Sequence, residues 1–212
     1  MAYDKLVDSS VLDAGLSKIA NAIREKGGAS DSLAFPDAMV DAISAIEVGS
    51  GSADDVSFKE VIERTAVNPT LPSDLTKIGS YVFYYCRDLA LTSLPEGVKS
   101  IDNYAFGNCT NLALTSLPDE LRSIDGNAFQ NCTNIAITSI PDTVVNIGGA
   151  AFSGCTGLSE ITFKGTQIKI NSNSFSNCTN LLIINVPWAE GAVANAPWGA
   201  TNATINYNYT GG

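Results

Sequence analysis

The chain contains 212 residues, of which 45% are hydrophobic and 16% charged, so it is long enough and apolar enough to bury a core. Its 12 Lys and Arg residues against 22 Asp and Glu give a net charge of -10, which argues against a basic face that binds nucleic acid or an anionic membrane. The sequence contains no His, and this removes the commonest general base and the commonest transition-metal ligand. We therefore expect a protein that is not an enzyme and that holds no cofactor or metal.

Residues 1–48 have a helical pattern of apolar residues. A first stretch, which ends at Gly27, has the spacing i, i+4, i+7, i+11, and its apolar residues are Leu12, Leu16, Ile19 and Ile23. Pro36 opens a second stretch, whose apolar residues are Met39, Val40, Ile43 and Ile46. The pattern predicts a helical hairpin that packs on itself, on the following domain or on another chain.

The first thirty residues contain several charges and no unbroken apolar run, so we expect neither a signal peptide nor membrane insertion. A linker is predicted at residues 49–57, because it begins with the flexible sequence Gly49–Ser52. Phe58 to Arg64 is predicted to form a short helix that covers the open end of the next domain.

Two segments of the N-terminal region, Leu16–Gly27 and Leu33–Ile46, resemble the N-terminal module of minor structural proteins from phages and prophages of Gram-positive bacteria. The resemblance implies that residues 1–48 attach the chain to other virion proteins, in front of a variable binding domain. It assigns no residue to any chemistry.

The central part of the chain repeats every 23 residues. All the cysteines share this interval, and so do columns of Phe, Ile and Leu or Ile; the cysteines are Cys86, Cys109, Cys132, Cys155 and Cys178. One such unit cannot bury its own apolar residues, whereas stacked units turn each column into a continuous internal ladder. The repeat therefore predicts a solenoid of five 23-residue rungs, each numbered here by its cysteine from rung 1 (Cys86) to rung 5 (Cys178).

The repeated pattern resembles the BspA-like class of bacterial leucine-rich repeats. In rung 1 and the start of rung 2 it consists of Leu89, Leu94, Pro95, Val98, Ile101, Ala105, Phe106, Cys109 and Leu112. The resemblance covers roughly residues 70–186 and implies an α/β leucine-rich-repeat solenoid at residues 58–186, with binding and adhesion as its general function.

Two columns of this repeat could carry chemistry. The residue after the column isoleucine is Gly79, Asp102, Asp125, Gly148 or Asn171, and these residue types indicate a turn in left-handed conformation rather than a carboxylate pair for catalysis or calcium. The cysteines are predicted to be free buried thiols, because parallel inward side chains do not pair well and five cannot pair completely.

Residues 187–212 are predicted to form a cap with a degenerate sixth rung. Val193 and Trp198 lie 23 residues after Ile170 and Phe175, and the pair Trp188 and Trp198 could close the last apolar layer. The alternative function for these two indoles is an aromatic platform that binds sugars.

The candidate ligand-binding residues lie in a six-residue segment that starts three residues after each cysteine. In a leucine-rich repeat, its third and fifth positions face outward on the concave sheet. These positions are Leu91, Ser93, Leu114, Ser116, Ile137, Ser139, Glu160, Thr162, Ile183 and Asn185. An alternative remains open, in which Leu91, Leu114 and Ile137 turn inward and Thr92, Thr115 and Thr138 turn outward.

These features favour a non-enzymatic virion component that binds other virion proteins through residues 1–48 and a host surface protein or glycan through the solenoid. A bacterial cell-surface adhesin is the alternative, and a carbohydrate-active enzyme is the weakest hypothesis because most carboxylates lie in turn or surface columns. The sequence does not decide between a monomer and a homo-oligomer.

Overall fold

The computed structural model describes residues 67–211, where the chain forms a parallel β-solenoid. The predicted helical hairpin, linker and short helix lie outside the described residues. Strands β1 to β9 are Lys77–Ile78, Ser100–Ile101, Ser123–Ile124, Ser139–Ile140, Asn146–Ile147, Glu160–Phe163, Lys169–Ile170, Ile183–Asn185 and Thr204–Asn206. Within residues 67–211, no helix has the length and apolar character needed to cross a bilayer.

Two parallel sheets run along the solenoid. The first contains β1, β2, β3, β5 and β7, and its neighbouring strands pair residues 23 apart, such as Ile78 with Ile101. The second contains β4, β6, β8 and β9, and it begins only at rung 3. Between β8 and β9 the offset shrinks to 21 residues, because Ile184 pairs with Ile205. The 23-residue period of the sequence therefore sets the register in which neighbouring strands of the first sheet pair.

The segment between the column isoleucine and the cysteine is built from turns. In rung 2, Tyr104 and Asn108 have positive φ angles of 56° and 63°, and Ala105 and Cys109 donate to carbonyls three residues earlier. Two left-handed residues four positions apart interrupt any helix at this place. The predicted α/β class is therefore wrong for residues 67–211, which contain strands and turns but no α-helix.

The left-handed residues lie at positions other than those expected. Asp102 was predicted to be left-handed, yet positive φ occurs two residues later at Tyr104 and at the equivalent Tyr81, Asn127 and Ala150. The reason is that Asp102 N–H still donates to the carbonyl of Ile78 in the rung below, so Asp102 begins the turn while the chain reverses after it.

Ladders of identical side chains fill the core. The Phe rings of rungs 1 to 5 stack with centroids 5.2–5.4 Å apart and interplanar angles of 3–12°. All five cysteines are free and buried, as predicted, and the Sγ atoms of rungs 2 to 5 donate to the carbonyl oxygen of the Phe in the preceding rung at 2.8–3.0 Å. Each rung therefore bonds to its neighbour through both apolar contacts and a weak sulfur donor.

Aromatic side chains close the C-terminal end. Trp198 is fully buried, its Nε1 donates to Ala194 O at 2.8 Å, and its ring lies 5.9 Å from Phe163 and 6.4 Å from Trp188. Trp188 is buried as well, so neither indole presents the open face that a sugar-binding platform needs.

Candidate binding surface of the solenoid

The six-residue segment comprises residues 89–94, 112–117, 135–140, 158–163 and 181–186. In rungs 1 to 3, the side chains of Leu91, Leu114 and Ile137 point into the core, where Leu114 is 0% exposed. Their predicted role in ligand contact is therefore wrong, and the alternative with the three threonines outward is confirmed: Thr92, Thr115 and Thr138 are exposed. The segment buries its third residue, which is Leu or Ile, and not its fourth, which is Thr. Burying the Thr would place its hydroxyl in the core without a hydrogen-bond partner.

Rungs 4 and 5 bury the fourth position instead of the third. Glu160 and Ile183 are exposed, whereas Ile161 and Ile184 are fully buried. The backbone bonding changes at the same place, since Ala136 N donates to Leu114 O, 22 residues earlier, while Thr162 N donates to Thr138 O, 24 residues earlier. The predicted outward orientation of Glu160 and Ile183 is thus confirmed.

The fifth position holds the serines and the polar residues of the later rungs. Ser93 and Ser116 are exposed, and Ser139 and Thr162 are half-buried. Asn185, however, is only 2% exposed, so its predicted direct contact with a ligand is wrong. Its Nδ2 donates to Glu160 Oε1 at 2.6 Å and to Thr162 Oγ1 at 3.1 Å, and its Oδ1 accepts from Asn206 Nδ2 at 2.8 Å.

We call the polar side chains at the fourth and fifth positions of rungs 1 to 3, together with Glu160 and Thr162 of rung 4, the hydroxyl stripe. It consists of Thr92, Ser93, Thr115, Ser116, Thr138, Ser139, Glu160 and Thr162. At rung 5 the stripe ends in an apolar pair, since Leu182 and Ile183 are 57% and 38% exposed. Leu182 was not among the predicted exposed residues, although with Leu181, Ile183 and Ile184 it makes four consecutive apolar residues, too many for one inward face.

The stripe offers hydrogen-bonding groups without concentrated charge. Each Ser or Thr hydroxyl can both donate and accept, and Glu160 supplies the carboxylate of the stripe. Such a surface suits recognition of polar groups on a macromolecule, and the exposed Leu182 and Ile183 add an apolar contact at one end.

The carboxylates of the turn column form no metal-binding group. Asp102 Oδ2 lies 2.7 Å from Lys77 Nζ. Burial, with a smaller contribution from the negative charge of Asp102, raises the pKa of Asp125. Among residues 67–211 no cluster of three or more Cys, Asp or Glu side chains could hold a metal ion.

The cysteines are poor nucleophiles in this environment. Burial raises the pKa of Cys178 from 9.0 to about 11, and it raises the pKa values of Cys132 and Cys155 well above their ordinary range. Because the thiolate is the reactive form, these buried thiols are inert near neutral pH.

Comparison with known proteins agrees with this geometry. Residues 57–190 match the BspA type leucine-rich repeat region in six copies. A leucine-rich repeat protein from Bacteroides ovatus is 29% identical with a TM-score of 0.51, over 57% of this chain and 32% of its own length. The leucine-rich repeat protein TpLRR from T. pallidum is 29% identical with a TM-score of 0.56, over 68% of this chain and 70% of its own.

The comparison with curated proteins finds no match. The match spans about a third of the length of the B. ovatus protein. The family match, by contrast, spans more than half of the chain and includes all five rungs. The chain therefore belongs to the family of BspA-type leucine-rich repeat proteins.

Proposed function

We propose that the solenoid is a non-enzymatic binding module of a bacterial cell-surface adhesin, and that the hydroxyl stripe contacts a host surface protein or glycan. The observation that carries the proposal is the stripe itself, in which Thr and Ser stay outward through three successive rungs while the core is filled by Leu and Ile. Membership of the BspA-type family supports a role in binding rather than in catalysis.

The test is attachment of the full chain to host cells with charges placed on the stripe. The double variant Ser93→Lys and Ser116→Lys alters two exposed side chains in adjacent rungs, so we expect attachment to fall at least about tenfold while the melting temperature stays unchanged. The matched control is the double variant Gln167→Lys and Ser172→Lys, which adds the same charge at two exposed residues outside the stripe. Equal attachment by the two variants would place the working surface elsewhere.

A virion protein is the second candidate function. It is favoured by the sequence of residues 16–46, which resembles the N-terminal module of phage and prophage structural proteins. In this role residues 1–48 bind other virion proteins and the solenoid projects towards the host. Chains with and without residues 1–48 would be expressed during particle assembly, and only the complete chain should sediment with particles. Cell-surface display of the chain without particle incorporation would leave the adhesin as the function.

A further inference from the structure

A second surface lies in the turn segments of rungs 1 and 2, outside the hydroxyl stripe. Four tyrosines form one cluster there, Tyr81, Tyr84, Tyr85 and Tyr104, which we call the tyrosine cluster. The rings of Tyr81 and Tyr104 stack with centroids 5.0 Å apart and an interplanar angle of 11°. The ring of Tyr84 meets the other three edge-on, at centroid distances of 4.6–5.5 Å.

The backbone accommodates this cluster. Tyr81, Tyr85 and Tyr104 have positive φ angles, which is rare for residues other than Gly, Asn and Asp. Gly107 makes room for the ring of Tyr84, because a Cβ at this position would lie 2.9 Å from Tyr84 Cδ2. The tyrosines are therefore held in place by the same turns that build each rung.

The cluster leaves aromatic surface open to solvent. Tyr81 is 55% exposed although the ring of Tyr104 stacks on it. Tyr85 is 38% exposed and lies under the guanidinium of Arg87, at 5.4 Å from its Cζ. A flat ring stacked on Tyr81 would continue the column that Tyr81 and Tyr104 begin.

Uncharged amides continue the tyrosine columns into the next rungs. Asn127 follows Tyr81 and Tyr104 at the 23-residue interval, and Asn108 and Asn131 follow Tyr85. Asn131 Nδ2 donates to Asn108 Oδ1 at 3.0 Å. Lys77 pairs with Asp102, and the guanidinium of Arg87 lies over the ring of Tyr85.

We propose that the tyrosine cluster and the adjoining asparagines bind a neutral oligosaccharide. A pyranose ring with axial hydrogens presents a flat C–H face that packs on an aromatic ring, and its hydroxyls bond to amide groups beside that ring. The site lies apart from the hydroxyl stripe and adds a second contact surface to the proposed function.

The test uses the full chain and four defined probes. They are hexamers of β-1,4-linked glucose, β-1,4-linked N-acetylglucosamine and α-1,4-linked glucose, with hexagalacturonate as the charged counterpart. Titration calorimetry gives the dissociation constants, and saturation transfer from protein to sugar protons identifies the bound face. We expect at least one neutral hexamer to bind through its ring C–H protons, with hexagalacturonate bound at least about tenfold more weakly.

Variants locate the site. Tyr81→Ala removes the exposed ring and should weaken binding about tenfold, while Tyr81→Phe keeps the ring and should stay within about threefold of the wild type. The matched control is Tyr209→Ala, which removes an exposed tyrosine at the other end of the solenoid and should change nothing. Binding should also survive the Ser93→Lys and Ser116→Lys variant, so failure of the stripe and failure of this site are distinguishable. The proposal is overturned if no neutral hexamer binds, or if Tyr81→Ala binds as tightly as the wild type.

Discussion

Rungs 1 to 3 and rungs 4 to 5 bury different residues of the six-residue segment. In the first group the six-residue segment buries its third residue, and in the second group it buries its fourth. Rung 4 requires the change, because it has Glu160 at the third position and Ile161 at the fourth. Rung 5 has isoleucine at both positions and still follows rung 4, which leaves Ile183 exposed.

The difference shows that a rung takes its register from its neighbour when its own sequence is ambiguous. Residues of β8 pair with those of β6 over three positions, from Glu160 with Ile183 to Thr162 with Asn185. Keeping these backbone bonds outweighs burying Ile183 in place of Ile184. Local pattern therefore sets the register in rungs 1 to 4, and stacking sets it in rung 5.

The strongest test moves the boundary between the two groups. Ile137→Glu buries a carboxylate in rung 3 and should lower the free energy of unfolding by at least about 3 kcal/mol. Adding Thr138→Ile gives rung 3 the pattern of rung 4, so the double variant should recover at least about half of this loss. Urea unfolding of both variants and of Thr138→Ile alone measures the coupling. A double variant as unstable as Ile137→Glu would show that the pattern does not set the register.

The second test truncates the buried side chain of the segment in one rung of each group. Leu114→Ala in rung 2 and Ile161→Ala in rung 4 each open a cavity in the core and should cost about 2–5 kcal/mol. Thr115→Ala occupies the position equivalent to Ile161 but is exposed, so its cost should stay within about 0.5 kcal/mol. Denaturant midpoints give the three values, and a large loss for Thr115→Ala would contradict its outward orientation.

The third test concerns the fifth position. Asn185→Ala removes a buried amide that bonds to three side chains and should cost about 1–3 kcal/mol. Ser116→Ala, at the equivalent exposed position of rung 2, should cost no more than about 0.5 kcal/mol. Thermal unfolding of the two variants under one condition supplies the comparison, and equal losses would remove the distinction between the groups at this position.

The smallest expected effect is a pH dependence that arises in rung 5. The pKa of Cys178 is about 11 in the folded chain against 9.0 ordinarily, so the folded state holds its proton through this window. Stability from this thiol is complete below pH 9 and is lost as the pH rises towards 11. Unfolding curves from pH 8 to 11 should fall more steeply for the wild type than for Cys178→Ser. Parallel curves would contradict the burial of this thiol.

The sequence predicts the parts of the fold that depend on strict repetition. The Cys and Phe columns recur at 23 residues without exception from Cys86 to Cys178, and the structure buries every one of them. The inward position of the six-residue segment was left open, because Leu91 and Thr92 are each compatible with either face until the cost of a buried hydroxyl is counted.

Other features had weaker signals. The left-handed positions include Tyr81, Tyr104 and Ala150, and none of these residue types indicates such a conformation. The resemblance to leucine-rich repeats implied an α/β class, yet a turn signal recurs in rungs 2 to 5 at Asn108, Asn131, Gly154 and Asn177, four residues after the column of Tyr104. The tyrosine cluster was missed, although Tyr81 and Tyr104 are separated by the repeat interval and two further tyrosines lie close by in sequence.

Having turns in place of a helix in each rung changes the distance that each repeat adds on that side of the solenoid. An α-helix with side chains is about 10–12 Å wide against about 4.8 Å between strands, and this mismatch bends ordinary leucine-rich repeats into a horseshoe. Here the stacked Phe rings advance by 5.2–5.4 Å per rung, close to the strand spacing. The turn side therefore advances at nearly the same step as the strands, so the gain or loss of one repeat changes the length of the solenoid by about 5 Å. The number of repeats then determines the distance between the first rung and the last.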